Sequence, residues 1–206
     1  MGHTSYDTSD RLLRSARLGY HTKSVDEIFT QQKERKIHDS MLPNGVDIRE
    51  ARDSEAHPNT VPIILSLDLT GSMGRIPHEL VKDGLPTIMG DLTQNGVPDA
   101  SLLFLGVGDH EEDDYPLQVG QFESGDKELD LWLTRTYIEG GGGGNAGESY
   151  LLAWYFAANH TATDAFEKRD KKGFLFTIGD EPCLDTLPKS VRQEIMGKTA
   201  RGQTSS

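Results

Sequence analysis

The sequence predicts an α/β protein with a doubly wound, mainly parallel β-sheet flanked by helices. Apolar runs at 62–67, 101–107 and 173–178 have the length of buried strands, and the second is too short to be a buried helix. Segments with a helical spacing of apolar residues lie between these runs. Because alternating strands and helices favour parallel pairing, we expect helices on both faces of the sheet.

The first part of the chain differs from the rest. Residues 1–57 are polar, and we interpret them as a partly helical N-terminal arm that packs on a main domain formed by residues 58–206. Within the arm, the sequence predicts a short helix over 10–18 and, because it opens on a capping box, a second helix over 24–37. Partial disorder is an equally consistent interpretation of residues 1–22.

The main domain continues with further predicted elements. A helix is expected over 76–92, with a kink at Gly84-Leu85-Pro86, and an edge strand over 117–122. Three more helices are predicted over 127–133, 148–159 and 188–197. The run 173–178 is predicted to be another buried strand. Because only one helix follows it, either the sheet is small or the chain has been cut short, and a shortened sheet leaves an unpaired edge that invites pairing with another chain.

Composition narrows the classes of function. The chain has 21 basic and 33 acidic residues, and residues 58–206 carry 12 and 23 of these, hence −11 of the net charge of −12. Such a surface repels phosphate backbones and suits cations and basic partners, so we expect no nucleic-acid partner. The single cysteine excludes an internal disulfide, and no apolar stretch reaches about 18 residues. We therefore expect a cytoplasmic protein that contacts no membrane.

The strongest chemical signal lies at the end of the first apolar run. Asp68, Thr70 and Ser72 alternate along one tight turn, so that their oxygens can converge on a single point. One carboxylate with two hydroxyls is a poor site for a soft metal and a good site for a hard divalent cation.

Two further segments are expected near this turn. One is the glycine-rich loop 140–148, which opens a helix, and the other is the segment 177–182, which leaves the last apolar strand. Ligands of open parallel sheets bind beyond the carboxyl ends of the strands, where these three segments should meet.

Together these segments resemble the von Willebrand factor A domain and its metal-ion-dependent adhesion site, on a Rossmann-like fold. The family signature is Asp-x-Ser/Thr-x-Ser after the first strand, a Thr in a mid-chain Gly-rich loop and an Asp after the fourth strand. Asp68, Thr70 and Ser72 match the first segment, and Asp180 stands where the late Asp is expected. The resemblance covers roughly residues 61–182.

The middle segment departs from the family pattern because no Thr lies in it. It looks more like a bacterial subgroup that carries Gly-Gly-Gly-Asp-x-x-Glu there and that favours Thr-Gly-Ser-Met in the first loop, as residues 70–73 read here. By this match Asn145 would replace the Thr oxygen, directly or through water, and Glu148 would orient it.

The resemblance implies a function without catalysis. Mg²⁺, or Mn²⁺ or Ca²⁺ in its place, would bind Asp68, Thr70 and Ser72 together with residues of the other two loops, and a partner protein's Asp or Glu would complete the ion's coordination shell. In bacteria, intracellular domains of this kind often accompany MoxR-type AAA ATPases, which makes such a system the expected partner.

Three alternatives remain open. The domain could be a structural subunit with a vestigial metal site. It could be a Mg²⁺-dependent phosphatase of the haloacid-dehalogenase type, although Ser66 stands where the nucleophilic Asp of that family is expected. Finally, the acidic run 109–114 is consistent with a second cation site, a contact for a basic partner or a solvated loop.

Overall fold

A four-stranded sheet forms the centre of the molecule. The computed structural model describes residues 6–71, 73, 75–140 and 147–197. The strands in chain order are β1 (Arg49–Ala51), β2 (Val61–Asp68), β3 (Ala100–Val107), β4 (Leu117–Val119), β5 (Thr161–Thr163) and β6 (Phe174–Ile178). The α-helices are α1 (Thr8–Leu18), α2 (Val25–Ile28), α3 (Arg75–Glu79), α4 (Leu85–Gln94), α5 (Asp126–Thr134), α6 (Tyr150–Asn159), α7 (Asp164–Arg169) and α8 (Lys189–Met196). Within the described part of the chain, no helix has the length and apolar character needed to cross a bilayer.

The sheet is mainly parallel. Its strand order is β4-β3-β2-β6, in which β2 pairs in parallel with β3 and with β6, and β4 is an antiparallel edge strand. A separate parallel pair joins β1 to β5. These pairings confirm the predicted mixed α/β architecture with a parallel-rich sheet flanked by helices, and they are compatible with a Rossmann-like fold.

The central strand β2 divides the interior into two hydrophobic cores. Alternate side chains point to opposite faces of a strand, so Ile63, Leu65 and Leu67 pack against α4 and α5, whereas Ile64 packs on the other side against α6. Seven of the eight residues of β2 are buried. Since both faces are covered, the strand reads as a continuous apolar run.

The second predicted helix of the arm is wrong in length. The capping box at Ser24 forms as expected, but α2 ends at Ile28 and only a 3₁₀ turn, Thr30–Gln32, follows it. The helix stops because Phe29 takes an extended conformation and lies fully buried in the core. The burial of one aromatic side chain therefore outweighed the helical pattern downstream.

The expected kink in the long helix appears as a π-helical segment. The chain stays helical from Arg75 to Gln94, but Leu80–Gly84 has π geometry, which closes with the Leu85 N–H bonded to the Leu80 carbonyl. Pro86 follows directly. Because proline offers no N–H and its ring displaces the carbonyl four residues earlier, the helix widens at this point.

The strand prediction for 173–178 is right in position and wrong in burial. The strand forms as β6, but it lies at the edge of the sheet and its first three residues are exposed. The apolar composition indicated a covered strand, whereas among the described residues nothing pairs with its outer edge.

The described residues of the arm pack through a buried arginine on helix α5 and on the π-helical segment before α4. The Arg11 guanidinium is fully buried and donates to the carboxylates of Asp130 and Asp126 and to the Val81 carbonyl. The Tyr20 hydroxyl donates to the other Asp130 oxygen at 2.7 Å. Burial alone would lower the pKa of Arg11, but the two carboxylates raise it, so the charge is retained inside.

We expect Arg11→Met to destabilise the protein by about 3–5 kcal/mol, because it leaves Asp130 buried without a counter-charge and Asp126 paired with Arg14 alone. The free energy of unfolding in urea measures this change. Arg17→Met, an exposed position on the same helix, should cost less than about 0.5 kcal/mol. A loss below about 1 kcal/mol for Arg11→Met would contradict this account of how the arm is held.

Candidate metal centre

Carboxylates from three segments gather at the carboxyl edge of the sheet. Asp68 is the last residue of β2, and Asp109 lies two residues beyond β3. Glu148 precedes α6 and is joined to the segment after β6, because its N–H donates to the Pro182 carbonyl at 2.8 Å and its carbonyl accepts from the Leu184 N–H at 3.0 Å. Parallel strands end at the same edge, which places these acids together.

Asp68 is held by hydrogen bonds to both of its oxygens. The backbone N–H and the hydroxyl of Thr70 donate to Oδ1 at 2.9 and 2.6 Å, and the Tyr150 hydroxyl donates to Oδ2 at 2.8 Å. Only 1% of Asp68 is exposed. Because the carboxylate accepts three bonds in a dry position, its orientation is fixed before any ligand binds.

A glycine makes room for the tyrosine that holds Asp68. A Cβ added at Gly179 would lie 1.9 Å from the Tyr150 hydroxyl, so any other residue at this position would collide with it. Burial, and then the hydrogen bond to Asp68, raise the pKa of Tyr150 well above its usual range. Tyr150 therefore stays protonated and acts as a donor to Asp68.

Glu148 is buried without adequate compensation for its charge. It is 4% exposed, and among the described residues its Oε2 atom has no hydrogen-bond partner. Burial first, and then the carboxylates of Asp68, Asp113, Asp109 and Glu181 in that order, raise the pKa of Glu148 to about 8. A buried oxygen without a donor among several acids marks a place where positive charge is missing.

The acidic run after β3 supplies two of these neighbours. Asp109 is 2% exposed, and its N–H donates to Asp113 Oδ2 at 2.7 Å. The Asp113 carboxylate folds over Gly108, where an added Cβ would lie 2.4 Å from Asp113 Oδ2. Burial, and then the charges of Asp109 and Asp68, raise the pKa of Asp113. Of the three interpretations of the run, a solvated loop describes Glu111, Glu112 and Asp114, which are exposed, but not Asp109.

Ser149 links this loop to the start of α6. Its hydroxyl accepts from the His110 N–H at 3.0 Å and lies 2.7 Å from His110 Nδ1. The same hydroxyl is 3.5 Å from Asp109 Oδ1. The loop after β3 and the residue next to Glu148 are thus connected, which fixes the acids relative to each other.

The structure brings together some of the predicted site residues. The Thr70 hydroxyl donates a hydrogen bond to Asp68, and the negative charge of Asp68 raises the pKa of Glu148. Asp180 follows β6 at the same edge but is exposed. Ser72 and Asn145, which were expected to supply a hydroxyl and an amide oxygen, lie outside the described residues.

The described residues alone do not form a finished set of metal ligands. Among them, no group of three His, Cys, Asp or Glu side chains is arranged to hold an ion. The predicted set depends equally on hydroxyl and amide oxygens. A carboxylate that already accepts hydrogen bonds, such as Asp68, also has lone pairs left for a cation.

Sequence reasoning missed Tyr150 as a participant in the site and left the part of Asp109 and Asp113 open. Asp109 and Asp113 were grouped with a loop that was open to several interpretations, and Tyr150 was treated only as part of a helix. The available signal for Asp109 was its place just after a buried strand, which is the same relation that identified Asp68. For Tyr150 the signal was weaker, since only the fold shows that its hydroxyl reaches Asp68.

Comparisons of the chain with protein-family models, curated proteins and solved structures give no match. The case for a cation site consequently rests on the chemistry of these side chains. The decisive feature is the concentration of buried negative charge around Glu148.

Replacing Glu148 with Gln should stabilise the chelator-treated protein at pH 8 by about 1–3 kcal/mol. The folded pKa of about 8 lies above the ordinary value of 4.5, so the folded protein binds more protons than the unfolded chain between these values. Stability therefore falls as the pH rises through this window, and Gln removes that slope.

Urea unfolding of the wild type and of Glu148→Gln between pH 5 and pH 9 measures this difference. Glu79→Gln, at an exposed position on α3, is the matched control and should keep the slope of the wild type. If the free energy of unfolding changed with pH in the same way for all three proteins, the pKa of Glu148 would not be raised in the folded protein.

Proposed function

We propose that the protein is a metal-dependent protein-binding module, in which a divalent cation at the carboxyl edge of the sheet receives a carboxylate from a partner protein. The domain would be of the von Willebrand factor A type, with a metal-ion-dependent adhesion site. One observation carries the proposal. The buried Glu148 oxygen has no donor among the described residues and faces a group of acids, as is expected where a cation belongs.

The donor set fits a hard cation. Carboxylate and hydroxyl oxygens are the ligands that Mg²⁺, Mn²⁺ and Ca²⁺ prefer, and no thiol or imidazole belongs to the predicted set. Asp68 and Thr70 would hold the ion from the loop after β2, with Ser72 beside them. Asn145 and Glu148 would contribute from the glycine-rich loop, and Asp180 from the segment after β6.

The residues of the chain have distinct tasks in this proposal. Tyr150 and the Thr70 backbone hold the Asp68 carboxylate in a fixed orientation, so no reorganisation is needed on binding. When bound, the cation supplies an open coordination position that an Asp or Glu of the partner can fill. The low exposure of Asp68 and Glu148 keeps that contact partly dry, which strengthens it relative to a contact on a wet rim.

The fold supports the same proposal. The strand that carries the Asp-x-Thr-x-Ser motif is central and parallel to both neighbours, and its last residue, Asp68, interacts with Glu148 at the end of the glycine-rich loop. A ligand can therefore approach from the edge of the sheet beyond the strands. A partner of MoxR AAA ATPase type follows from the family analogy alone.

A phosphatase of the haloacid-dehalogenase type has little support. Ser66 occupies the position of the nucleophilic Asp, and its side chain is fully buried within β2. A residue enclosed between two neighbouring strands does not reach a substrate, and a hydroxyl there forms no aspartyl-phosphate. The structural subunit with a vestigial metal site is the remaining alternative, and it predicts that chelators leave partner binding unchanged.

We expect the wild type to bind Mg²⁺ or Mn²⁺ after chelator treatment, and Asp68→Asn to lose this binding. Asn keeps the shape of the side chain but removes the charge that a cation needs. Isothermal titration calorimetry measures the loss, which should exceed about 100-fold in Kd, and Asp68→Ala should abolish binding too. Asp91→Asn, an exposed position on α4, should bind as the wild type does.

The effect on a partner separates the two functions. Partners captured from a bacterial lysate by the wild type should be released by a chelator and should be absent from the Asp68→Asn capture. Equal capture by both proteins would refute the proposed binding mechanism. Metal binding by the wild type without any chelator effect on capture would favour the structural subunit.

A further inference from the structure

The outer edge of β6 is open in a way that the rest of the sheet is not. Among the described residues, β6 pairs only with β2, so its outward N–H and C=O groups have no strand beside them. The opposite edge is formed by β4, a strand of three buried residues that pairs antiparallel. Native proteins rarely leave a flat apolar edge uncovered, because such an edge pairs with other chains.

The side chains of β6 are those of a covered strand. Phe174 and Phe176 are 54% and 52% exposed, and Leu175 is 38% exposed. Their register partners on β2, Ile63, Ile64 and Leu65, are all buried. Large apolar side chains on both faces of an edge strand indicate that another element covers them in the working protein.

The two faces of β6 lie beside different residues. On the side of α6, Leu175 lies at a groove of about 520 Å³ that is also lined by Trp154 and Phe166, both exposed. On the other side, Phe174 and Phe176 share the face of Ile63 and Leu65, since paired residues in a parallel ladder point the same way.

The described end of the chain does not cover this edge. Helix α8 packs at the other end of the α6 core through Met196, and an added Cβ at Gly197 would lie 2.9 Å from Asn44 Oδ1, in the arm.

The charged residues at the two ends of β6 indicate which strand pairs with its open edge. Lys171 and Lys172 precede β6 and are exposed, whereas Asp180 and Glu181 follow it and are exposed as well. The strand thus has a positive start and a negative end. A second copy of the same strand running antiparallel would place each basic pair opposite an acidic pair, whereas a parallel copy would place like charges together.

We propose that a second copy of this chain docks on β6, with the two β6 strands antiparallel about a two-fold axis at Phe176. The register then pairs Lys172 with the second copy's Asp180, and Lys171 with the second copy's Glu181. Phe176 meets its own counterpart, and Phe174 meets the second copy's Ile178. The two four-stranded sheets become one continuous sheet, which is a closed and self-complementary association.

The faces of the joined sheet gain cover from the same association. The groove beside Trp154 and Leu175 lies at the junction, so the corresponding elements of the second copy come to face it. Backbone hydrogen bonds supply part of the affinity, and the aromatic side chains around Phe176 supply the apolar contact. Asp180 belongs both to the proposed cation site and to this register, so a bound cation would compete with Lys172 for it, and the association should therefore persist when a chelator removes the cation.

Sedimentation equilibrium of the full chain, in a chelator at low ionic strength, tests the proposal. We expect a monomer–dimer equilibrium in the wild type. Phe176→Arg, which puts two like charges together on the axis, should raise the dimer Kd at least about tenfold. Leu131→Arg, an exposed leucine on α5, is the matched control and should leave the Kd unchanged. Thermal unfolding of each variant confirms that it is folded.

Charge reversal tests the direction of pairing. Lys171→Glu and Glu181→Lys should each raise the dimer Kd severalfold, and the double variant should restore it, because each reversed charge then meets its complement. If the pairing were parallel, the double variant would show no such rescue.

Cross-linking tests the register. With Cys183→Ser as background, Phe176→Cys should form an intermolecular disulfide under mild oxidation, whereas Leu175→Cys should not, since its counterpart is Thr177. A wild type that stays monomeric up to about 100 μM would overturn the proposal. A dimer that Phe176→Arg leaves intact would overturn it too, because the interface would then lie elsewhere.

Discussion

The structure depends on one strand, β2, being enclosed on both edges and on both faces. Its pairing with β3 extends over all eight residues, and its pairing with β6 over five. This enclosure decides which side chains enter each of the two cores. It also delivers Asp68 to the carboxyl edge in a buried position, where Thr70 and Tyr150 hold its carboxylate. The site is therefore a consequence of how the sheet is assembled.

The electrostatics of that edge contrast with those of the arm. Around Arg11, buried carboxylates are matched by a buried guanidinium and a tyrosine hydroxyl, so that positive and negative charge are balanced. Around Glu148, buried carboxylates meet no such counter-charge among the described residues, and the pKa of Glu148 rises to about 8 in response. The buried acids around Arg11 are thus balanced by an ion pair, whereas those around Glu148 are not balanced by any described residue. Such a group of unbalanced negative charges is typical of a binding site, where a bound ligand supplies the missing positive charge.

Strand β6 connects the site to the open edge of the sheet. Its carboxyl end leads through Gly179 to the segment that holds Glu148, while its outer edge bears exposed apolar residues. The two surfaces use different chemistry, because one gathers oxygen ligands and the other offers backbone groups and aromatic rings. Asp180 is the one group that both proposals use, because it would ligate the cation in one and pair with Lys172 of the second copy in the other.

The sequence by itself determined the four strands of the main sheet, most helices and the position of Asp68, but not the pair β1 and β5, because buried strands and capping boxes leave local patterns that a single chain displays. It also placed Glu148 near the site through the order of the loops. Only the tertiary structure decided that Phe29 ends α2, that β6 is an edge and that Asp109, Asp113 and Tyr150 join the site. Each of these outcomes depends on contacts between residues distant in the chain. Burial and pairing depend on what the rest of the fold supplies, and no local pattern of residues encodes that.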